Sequence, residues 1–438
     1  MNCNMKSIFK AIPVYLVVMS VLTLSAMAGG RVVSFGYYTD LPSQNRDMVA
    51  VAAGYMHSLA LTDDEEVVAW GDNSRGQLNV PGSCDDDIEE IAAGGYHSMA
   101  LDDDGRVFAW GDNSAGQSTV PSSAKSNIRA ISAGLLHSLA LHKNGKVYAW
   151  GDSMFSQIYV PAGLDKVIAI SAGALHSMAL RNDGMVFIWG DNSFDQGTVP
   201  EAAMSGIKAI AAGYFHNLAL TTEGEVIAWG QNDSGQCNVP DEARYGVVAI
   251  SAGQDHSLAL KADGRLISWG GRAGKTQYND SSTIPNLSSI SAGGFHSLGI
   301  VPEEADSNNN GIPDWWEIQN SLDPAAAIDP KIDSDRDGLT DHEEYLTGTD
   351  PWDNASFFKA ELALNPVSGT PEMVFSPVST DRLYTLEYTA DVTSGSWRTV
   401  SGMANMQMLS NTEPGRLSIS PDKSFRIYRI KTTTITTP

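Results

Sequence analysis

Cysteine is scarce, with three in 438 residues, and only Cys84 and Cys237 lie beyond the first few positions. They fall in segments that are not neighbours, so no disulfide is expected and the fold must stand without staples. Basic residues are also few. Twenty-eight Lys and Arg against 52 Asp and Glu leave a formal net charge of -24, spread along the whole chain. A surface of that sign repels nucleic acid and anionic membrane, which argues against both as partners. Long apolar runs are missing apart from residues 11–24, and that run is short of the ~20 residues a spanning helix needs. No nucleophile elbow, phosphate loop or zinc spacing occurs, so nothing in the sequence asks for catalysis.

The one apolar run has another use. Lys6 and Lys10 lead into it and Ala26-Met-Ala28 follows, the arrangement of a secretory signal with its cleavage site. Residues 1–28 are therefore expected to be removed on export, the alternative being an uncleaved anchor. The mature protein is expected to be secreted or held at the cell surface, without stable membrane insertion.

What the chain does contain is a repeat. Ile91-Ala-Ala-Gly-Gly-Tyr-His-Ser-Met-Ala-Leu101 is followed by the turn Asp104-Gly105, the segment Val107-Phe-Ala-Trp-Gly111, then Asp112-Asn-Ser-Ala-Gly-Gln117 and Val120-Pro121. The Gly-x-x-His core occurs seven times, at His57, His97, His137, His176, His216, His256 and His296, at steps of 40 residues except one of 39. A period of that length means a solenoid, a propeller or an array. The His-Ser-x-Ala-Leu and Val-x-Ala-Trp segments flank a tight turn and read as a β-hairpin. Ile-Ala-Ala or Ile-Ser-Ala reads as a third strand, and Val-Pro as a short fourth edge. These strands are apolar at nearly every position, which suits sheets covered on both faces, as when blades stack around an axis. Gly94 and Gly111 are read as turn positions or points of close backbone approach. The recurring Trp is read as inter-blade core whose indole N–H seeks a backbone partner.

The two ends of the array complement each other. Gly30-Arg-Val-Val-Ser-Phe-Gly36 matches the Val-x-Ala-Trp-Gly strand with Phe35 in the Trp position, and the last copy, residues 290–301, has only the Gly-x-x-His half. Six whole units and two halves make seven blades, one built from both termini, which leaves no open sheet edge. On these residues the chain resembles the regulator-of-chromosome-condensation repeat family. The Gly-Asp-Asn-Ser-x-Gly-Gln-x-x-Val-Pro form is more similar to its secreted bacterial members, among them the propeller-type beta-lactamase inhibitor protein. The resemblance spans about residues 30–301 and implies an all-β, seven-bladed propeller, expected here to be monomeric. It leaves function open, because that family includes exchange factors, photoreceptors and inhibitors.

Seven histidines invite a metal reading. Each belongs to a different blade, however, with no Cys or His nearby to complete a site, so each imidazole is expected to bond to backbone in its own blade.

After residue 301 the composition changes. Residues 306–317 place Asp306, Asn308, Asn310, Asp314 and Glu317 at positions 1, 3, 5, 9 and 12 of a loop, with Gly311 at 6 and the Ile312 carbonyl at 7. Twenty-seven residues on, Asp333, Asp335, Asp337, Asp341 and Glu344 repeat the spacing, with the Leu339 carbonyl at 7. Calcium takes six to eight oxygens in a flexible shell, and these positions supply them. The loops resemble the thrombospondin type 3-like calcium repeats. They depart from an EF-hand at position 8, where Pro313 and Thr340 stand, so a full helix pair is not expected. Residues 302–352 are read as a calcium-stiffened linker; a merely solvated acidic linker is the alternative. Residues 353–438 alternate again, through Leu383-Tyr-Thr-Leu-Glu-Tyr388, Trp397-Arg-Thr-Val400, Leu417-Ser-Ile-Ser420 and Phe425-Arg-Ile-Tyr-Arg-Ile430, and are similar to fibronectin type III-like β-sandwich modules.

Strands of a blade alternate in direction, so the Gly-x-x-His turns and the loops after Trp-Gly must emerge on one face and the Asp-Gly hairpins on the other. The first face then gathers Tyr55, Tyr96, Leu135, Tyr214, Phe215 and Phe295 from one loop set, and Phe155 and Phe194 from the other, beside Asp112 and Asp191. Varied aromatics amid acids are what a protein-binding hot spot looks like; the alternative is that the rings fold back as core. The expected function is a non-catalytic protein-binding propeller with calcium as its ligand elsewhere, and a multivalent glycan-binding propeller is the alternative.

Overall fold

A computed structural model of the chain describes residues 29–36, 40–84, 87–271, 286–326, 332–336, 339–347 and 349–353, together with the backbone of strands between 359 and 434. The proposed leader, residues 1–28, and Asp337 lie outside the described residues. Two compact units divide the chain, a propeller unit reaching to Ser307 and a second unit containing residues 308–322 and 326–438.

Each repeat makes one three-stranded antiparallel blade. In blade 2 the strands are Ile88–Ala93, His97–Asp102 and Val107–Gly111. Blade 1 is Met48–Ala53, His57–Thr62 and Val67–Gly71. Blades 3 to 6 follow with inner strands Ile128–Ala133, Val167–Ala172, Ile207–Ala212 and Val247–Ala252. Middle strands such as His97–Asp102 are buried at every residue, because a blade has neighbours on both sides. The cores lie between blades. Met99, Leu101 and Val107 of blade 2 pack against Ile128, Ile131, Ala140 and Trp150 of blade 3, and Leu139, Leu141 and Val147 of blade 3 meet Val167, Ile170, Ala179 and Trp189 of blade 4. Large Leu faces small Ala across each junction, so the layers interdigitate at close spacing.

Val-Pro is not a fourth strand. Proline has no N–H to extend a ladder and its fixed φ suits the start of a helical turn. In three repeats it introduces a 3₁₀ turn, Ser122–Ala124, Glu201–Ala203 and Asp241–Ala243, whose last alanine is fully buried.

The ring is closed by its two ends. Gly30–Gly36 pairs antiparallel with His296–Pro302 along its full length, from Gly30 opposite Pro302 to Gly36 opposite His296. That end pairing copies His57 opposite Gly71 in blade 1. With Ser289–Ala292 the three strands complete blade 7. Its Val32, Leu298 and Ile300 pack on Met48, Val51 and Trp70 of blade 1, so the seam is cored like the other junctions. Cys84 and Cys237 are not joined to each other.

In the second unit two short helices, Asp314–Gln319 and Asp341–Thr347, follow the acidic loops. Beyond them come two antiparallel sheets. One holds Lys359–Leu364, Pro371–Ser376 and Gly415–Ser418, and the other is centred on Arg382–Thr389 paired with Ile427–Thr434. Two antiparallel sheets are the composition expected of a sandwich.

Candidate functional site

The repeat motif resolves into one hydrogen-bond network that runs from blade to blade. His97 Nε2 lies 2.9 Å from Ser138 Oγ, which belongs to the next blade. The pattern recurs from His57 to Ser98, His137 to Ser177, His216 to Ser257 and His256 to Ser297, and the circle closes from His296 to Ser58. The expectation of a backbone partner within the same blade is therefore corrected, since each imidazole ties its blade to the following one. Ser138 Oγ donates its hydrogen to the Gln117 carbonyl at 2.9 Å, so it must accept from His97 Nε2–H. Blade 5 makes the assignment plain. There Asn217 replaces serine, its Nδ2 donates to the Gln196 carbonyl and its Oδ1 accepts from His176 Nε2 at 2.7 Å. An amide oxygen only accepts, so the proton sits on Nε2.

The same carbonyl serves the tryptophan. Trp150 Nε1 donates to Gln117 O at 2.8 Å, as Trp110 does to Gln77 and Trp229 to Gln196. The glutamine side chain is spent locally: Gln117 Oε1 accepts from Ala115 N and Nε2 donates to Asp112 Oδ2. Asp, Gln, His, Ser and Trp of the motif are thus one fold-building set. Gly94 has its own reason. A Cβ there would stand 2.5 Å from both the His97 ring and the Gly134 carbonyl of the next blade, whereas Gly111 is required by its φ of +93°.

Buried neutral imidazoles lose basicity. Desolvation pulls His57, His137 and His216 down to about 3 and His97, His176 and His296 down to about 4. Nε2 of each imidazole is engaged by a hydroxyl or amide and so is not open to a metal. Among the described residues no three His, Cys, Asp or Glu side chains stand together as a metal centre. Asp255, His256 and Ser297 fall in the order of a hydrolase triad, but Asp255 Oδ1 is 3.9 Å from His256 Nδ1 and Ser297 is 4% exposed. A nucleophile must be reachable, and this hydroxyl is not.

The Gly-x-x-His turns meet at the axis. Tyr55 N donates to Gly94 O, Gly95 N to Gly134 O, Tyr214 N to Gly253 O, Gln254 N to Gly293 O and Gly294 N to Gly54 O. They ring a cavity of about 140 Å³ lined by glycine and alanine with Tyr55, Leu135 and Tyr214. Above it stands an aromatic cluster. The Tyr55 ring lies 5.7 Å from Tyr96, 5.9 Å from Tyr214 and 5.0 Å from Phe295. Tyr214 continues to Phe215 at 6.4 Å, and Phe215 to Phe194 at 5.1 Å. Burial, with Tyr55 and Tyr96 beside it, raises the Tyr214 phenol above its ordinary value. Rings at the axis are half-buried, whereas Phe155 and Phe194 are 38% and 40% exposed beside Met154 at 80%. The inner rings pack on one another, and the outer ones face solvent. Phe155 and Leu135 make none of these ring contacts. Asp112 and Asp191 sit in the loop cages, and Asp191 is 7% exposed.

Glu90 is a residue that motif reading misses. It stands on an inner strand where other blades carry Ala50, Ala130, Ala169, Ala209 and Ala249. Its carboxylate accepts from Ile131 N of the next blade at 3.3 Å, and burial pushes its pKa up to about 8. Four other junctions are bridged instead from two positions further along the inner strand by a serine, such as Ser132 Oγ accepting from Ala172 N. Aligning the repeats column by column exposes the exception.

The acidic loops have matching local geometry. Position 4 has positive φ in both, Asn309 at 56° and Arg336 at 65°, and Gly311 at position 6 has 82°. Each helix begins at loop position 9, on Asp314 or Asp341, as an exiting helix; no entering helix precedes either loop among the described residues. Asp314, Glu317, Asp341 and Glu344 are all buried. Glu317 Oε1 accepts from Asn308 and Asn310, and Asp341 accepts from Ser334. Trp316 and Tyr345, 5.6 Å apart, pair the two helices. Asp306 is half-buried and belongs to the propeller unit, Asp333 and Asp335 lie in the second unit with Leu339, and Ile312 is buried.

A closed ring of seven three-stranded blades with one composite blade defines a β-propeller of the repeat type. The model of the RCC1-like domain matches residues 38–301, well over half of the chain, and the protein belongs to that family. Among solved structures, Prp20p from Saccharomyces cerevisiae shares 21% identity at a TM-score of 0.54, over 70% of this chain and 96% of that one. Yeast RCC1 (Prp20) bound to Kap60 gives 21% and 0.53 over 73% and 98%, and human WBSCR16 gives 17% and 0.50 over 63% and 100%. No curated protein matches the sequence.

Proposed function

We propose that the protein is an exported, non-catalytic propeller that binds another protein through the face of the Gly-x-x-His turns, carried on a calcium-stiffened linker. The aromatic band supports this reading. It runs in contact from Phe295 through Tyr55 and Tyr214 to Phe215 and Phe194, and the corresponding loop of the preceding blade adds exposed Phe155 and Met154. Exposed apolar side chains gathered on one face mark interaction sites. The turn residues after each glycine are Tyr55, Gly95, Leu135, Ala174, Tyr214, Gln254 and Gly294. Such variation fits one irregular protein surface better than a repeated glycan. Prp20p, of the same fold, binds Gsp1p and histones, so a protein partner is compatible with the architecture.

The calcium part rests on the spacing of oxygen-bearing side chains at positions 1, 3, 5, 9 and 12 of both loops, with the carboxylates at 9 and 12 buried. In the second loop Asp333, Asp335, Asp337, Asp341, Glu344 and the Leu339 carbonyl would draw together around the ion, whose charge would offset theirs. Titration calorimetry should show binding that Asp333→Ala and Glu344→Ala weaken. Protease sensitivity of residues 306–351 that is the same with and without calcium contradicts the stiffened linker. A photo-cross-linking residue at position 155 should capture a partner that one at position 144, on the opposite face, does not. Capture from position 144 alone, or from a glycan array instead, contradicts the protein-binding reading.

A further inference from the structure

The opposite end of the propeller carries a charge pattern that the proposed binding face does not use. It is built from the hairpin turns and the loops entering the inner strands, tied together by bonds such as Asp103 N to Asp87 O and Lys143 N to Asn127 O. Adjacent blades interlock there, with Ile128 N donating to Gly105 O and Val167 N to Gly145 O. At this end blade 3 is wholly basic. Lys125, Lys143 and Lys146 are exposed, with Arg129 beside them and Lys166 entering blade 4. The sequence has no Asp or Glu between Asp112 and Asp152. Lys146 covers the Tyr148 ring, and none of the four lysines has a carboxylate at ion-pair distance among the described residues.

Blade 2, next to it, is acidic at the same end. Asp87, Glu89, Asp103 and Asp104 are exposed there, and blade 1 adds Asp63, Asp64, Glu65 and Glu66. These acids feel one another: Glu65 is held above the ordinary carboxylate range by burial and then by Asp87, Asp103 and Glu89. Arg106 is the cation among them, 2.7 Å from Asp102 and 3.8 Å from Asp104; the acids still outnumber it, and the opposite sign is what blade 3 displays.

We propose that this end pairs with a second copy of the chain about a two-fold axis lying in the face between blades 2 and 3. Rotation about such an axis turns the face over and exchanges its two sides. The acidic blade 2 of each copy then meets the basic blade 3 of the other, which is the self-complementarity an isologous contact requires. The net charge of -24 repels copies approaching in other orientations, so the basic sector selects this one. It also sets the salt dependence. At about 0.1 M ionic strength the Debye length is about 10 Å, which screens the whole-molecule repulsion but not charges in contact. At about 1 M it is about 3 Å and the contact itself weakens. A monomer was expected; the charge pattern adds a route to association that needs no open sheet edge.

Sedimentation velocity on the full chain tests this. At about 0.1 M ionic strength the protein should shift from monomer to dimer with rising concentration, and return to monomer near 1 M. Lys143→Glu with Lys146→Glu, and separately Asp103→Lys with Asp104→Lys, should each remain monomeric. An equal mixture of the two variants should dimerise again, because reversed blade 2 of one meets reversed blade 3 of the other. A wild-type monomer at every concentration overturns the proposal. So do dimers that survive both substitutions, or a mixture that stays monomeric.

Discussion

His296 Nε2 lies 2.8 Å from Ser58 Oγ, an imidazole at the end of the ring bound to a hydroxyl at its start across 238 residues of sequence. Its counterparts join consecutive blades, so the seam carries the same lock as the other junctions. Deleting Gly30–Gly36 leaves His296–Pro302 without its partner strand and opens this seam. The melting temperature should fall far more than on removing an exposed hairpin turn, and equal melting temperatures contradict closure. Ser58→Ala alone leaves a buried imidazole N–H unmet and should cost about 1–3 kcal/mol by denaturant titration.

The histidine ring makes the fold sensitive to acid. In the unfolded chain each imidazole titrates near 6.5, whereas six of those in the folded ring are held to about 3 or 4. Below pH 6.5 the unfolded state binds more protons, so stability is lost as pH falls toward the folded values. Six such groups give a slope of about 8 kcal/mol per pH unit near pH 5, against a total stability of about 5–15 kcal/mol. Circular dichroism should show cooperative unfolding between pH 6.5 and 4. An unchanged melting temperature at pH 4 contradicts the buried neutral ring.

Glu90 works with the opposite sign. Its folded pKa, about 8, lies above the unfolded value of 4.5. Its contribution is present at low pH and is lost as pH rises through 8. Glu90→Gln keeps an acceptor for Ile131 N without the charge, and should stabilise the protein at pH 9 by about 1–3 kcal/mol but not at pH 5. Equal effects at both pH values contradict a half-buried Glu90 that ionises at high pH.

Much of this was legible in the sequence. The period, the hairpins, the composite blade and the sharing of a face by two loop sets follow from strand direction and spacing. The partner of each histidine was not. His57 and Ser98 are 41 residues apart, one repeat plus one, and a Ser also follows His57 directly. Identical repeats make a contact within a blade and one across blades look alike in sequence. Val-Pro failed as a strand because its apolar residue fills a blade junction while proline starts a turn. The aromatic residues were placed on the correct loops, but which rings pack inward depends on their neighbours: Tyr55 is hemmed in by three rings and Phe155 by none of them.

The central claim is that the aromatic face binds a protein, and its outer rim tests this most directly, because Phe155 and Phe194 are exposed and can be changed without opening the core. Phe155→Ala with Phe194→Ala should keep the melting temperature within a degree or two of wild type, since exposed substitutions cost about 0.5 kcal/mol or less. The same variant should lose the partner captured by cross-linking at position 155 of the wild-type chain, measured by surface plasmon resonance against Lys125→Ala on the other face. Retained affinity in the double variant, or loss in Lys125→Ala instead, contradicts the account.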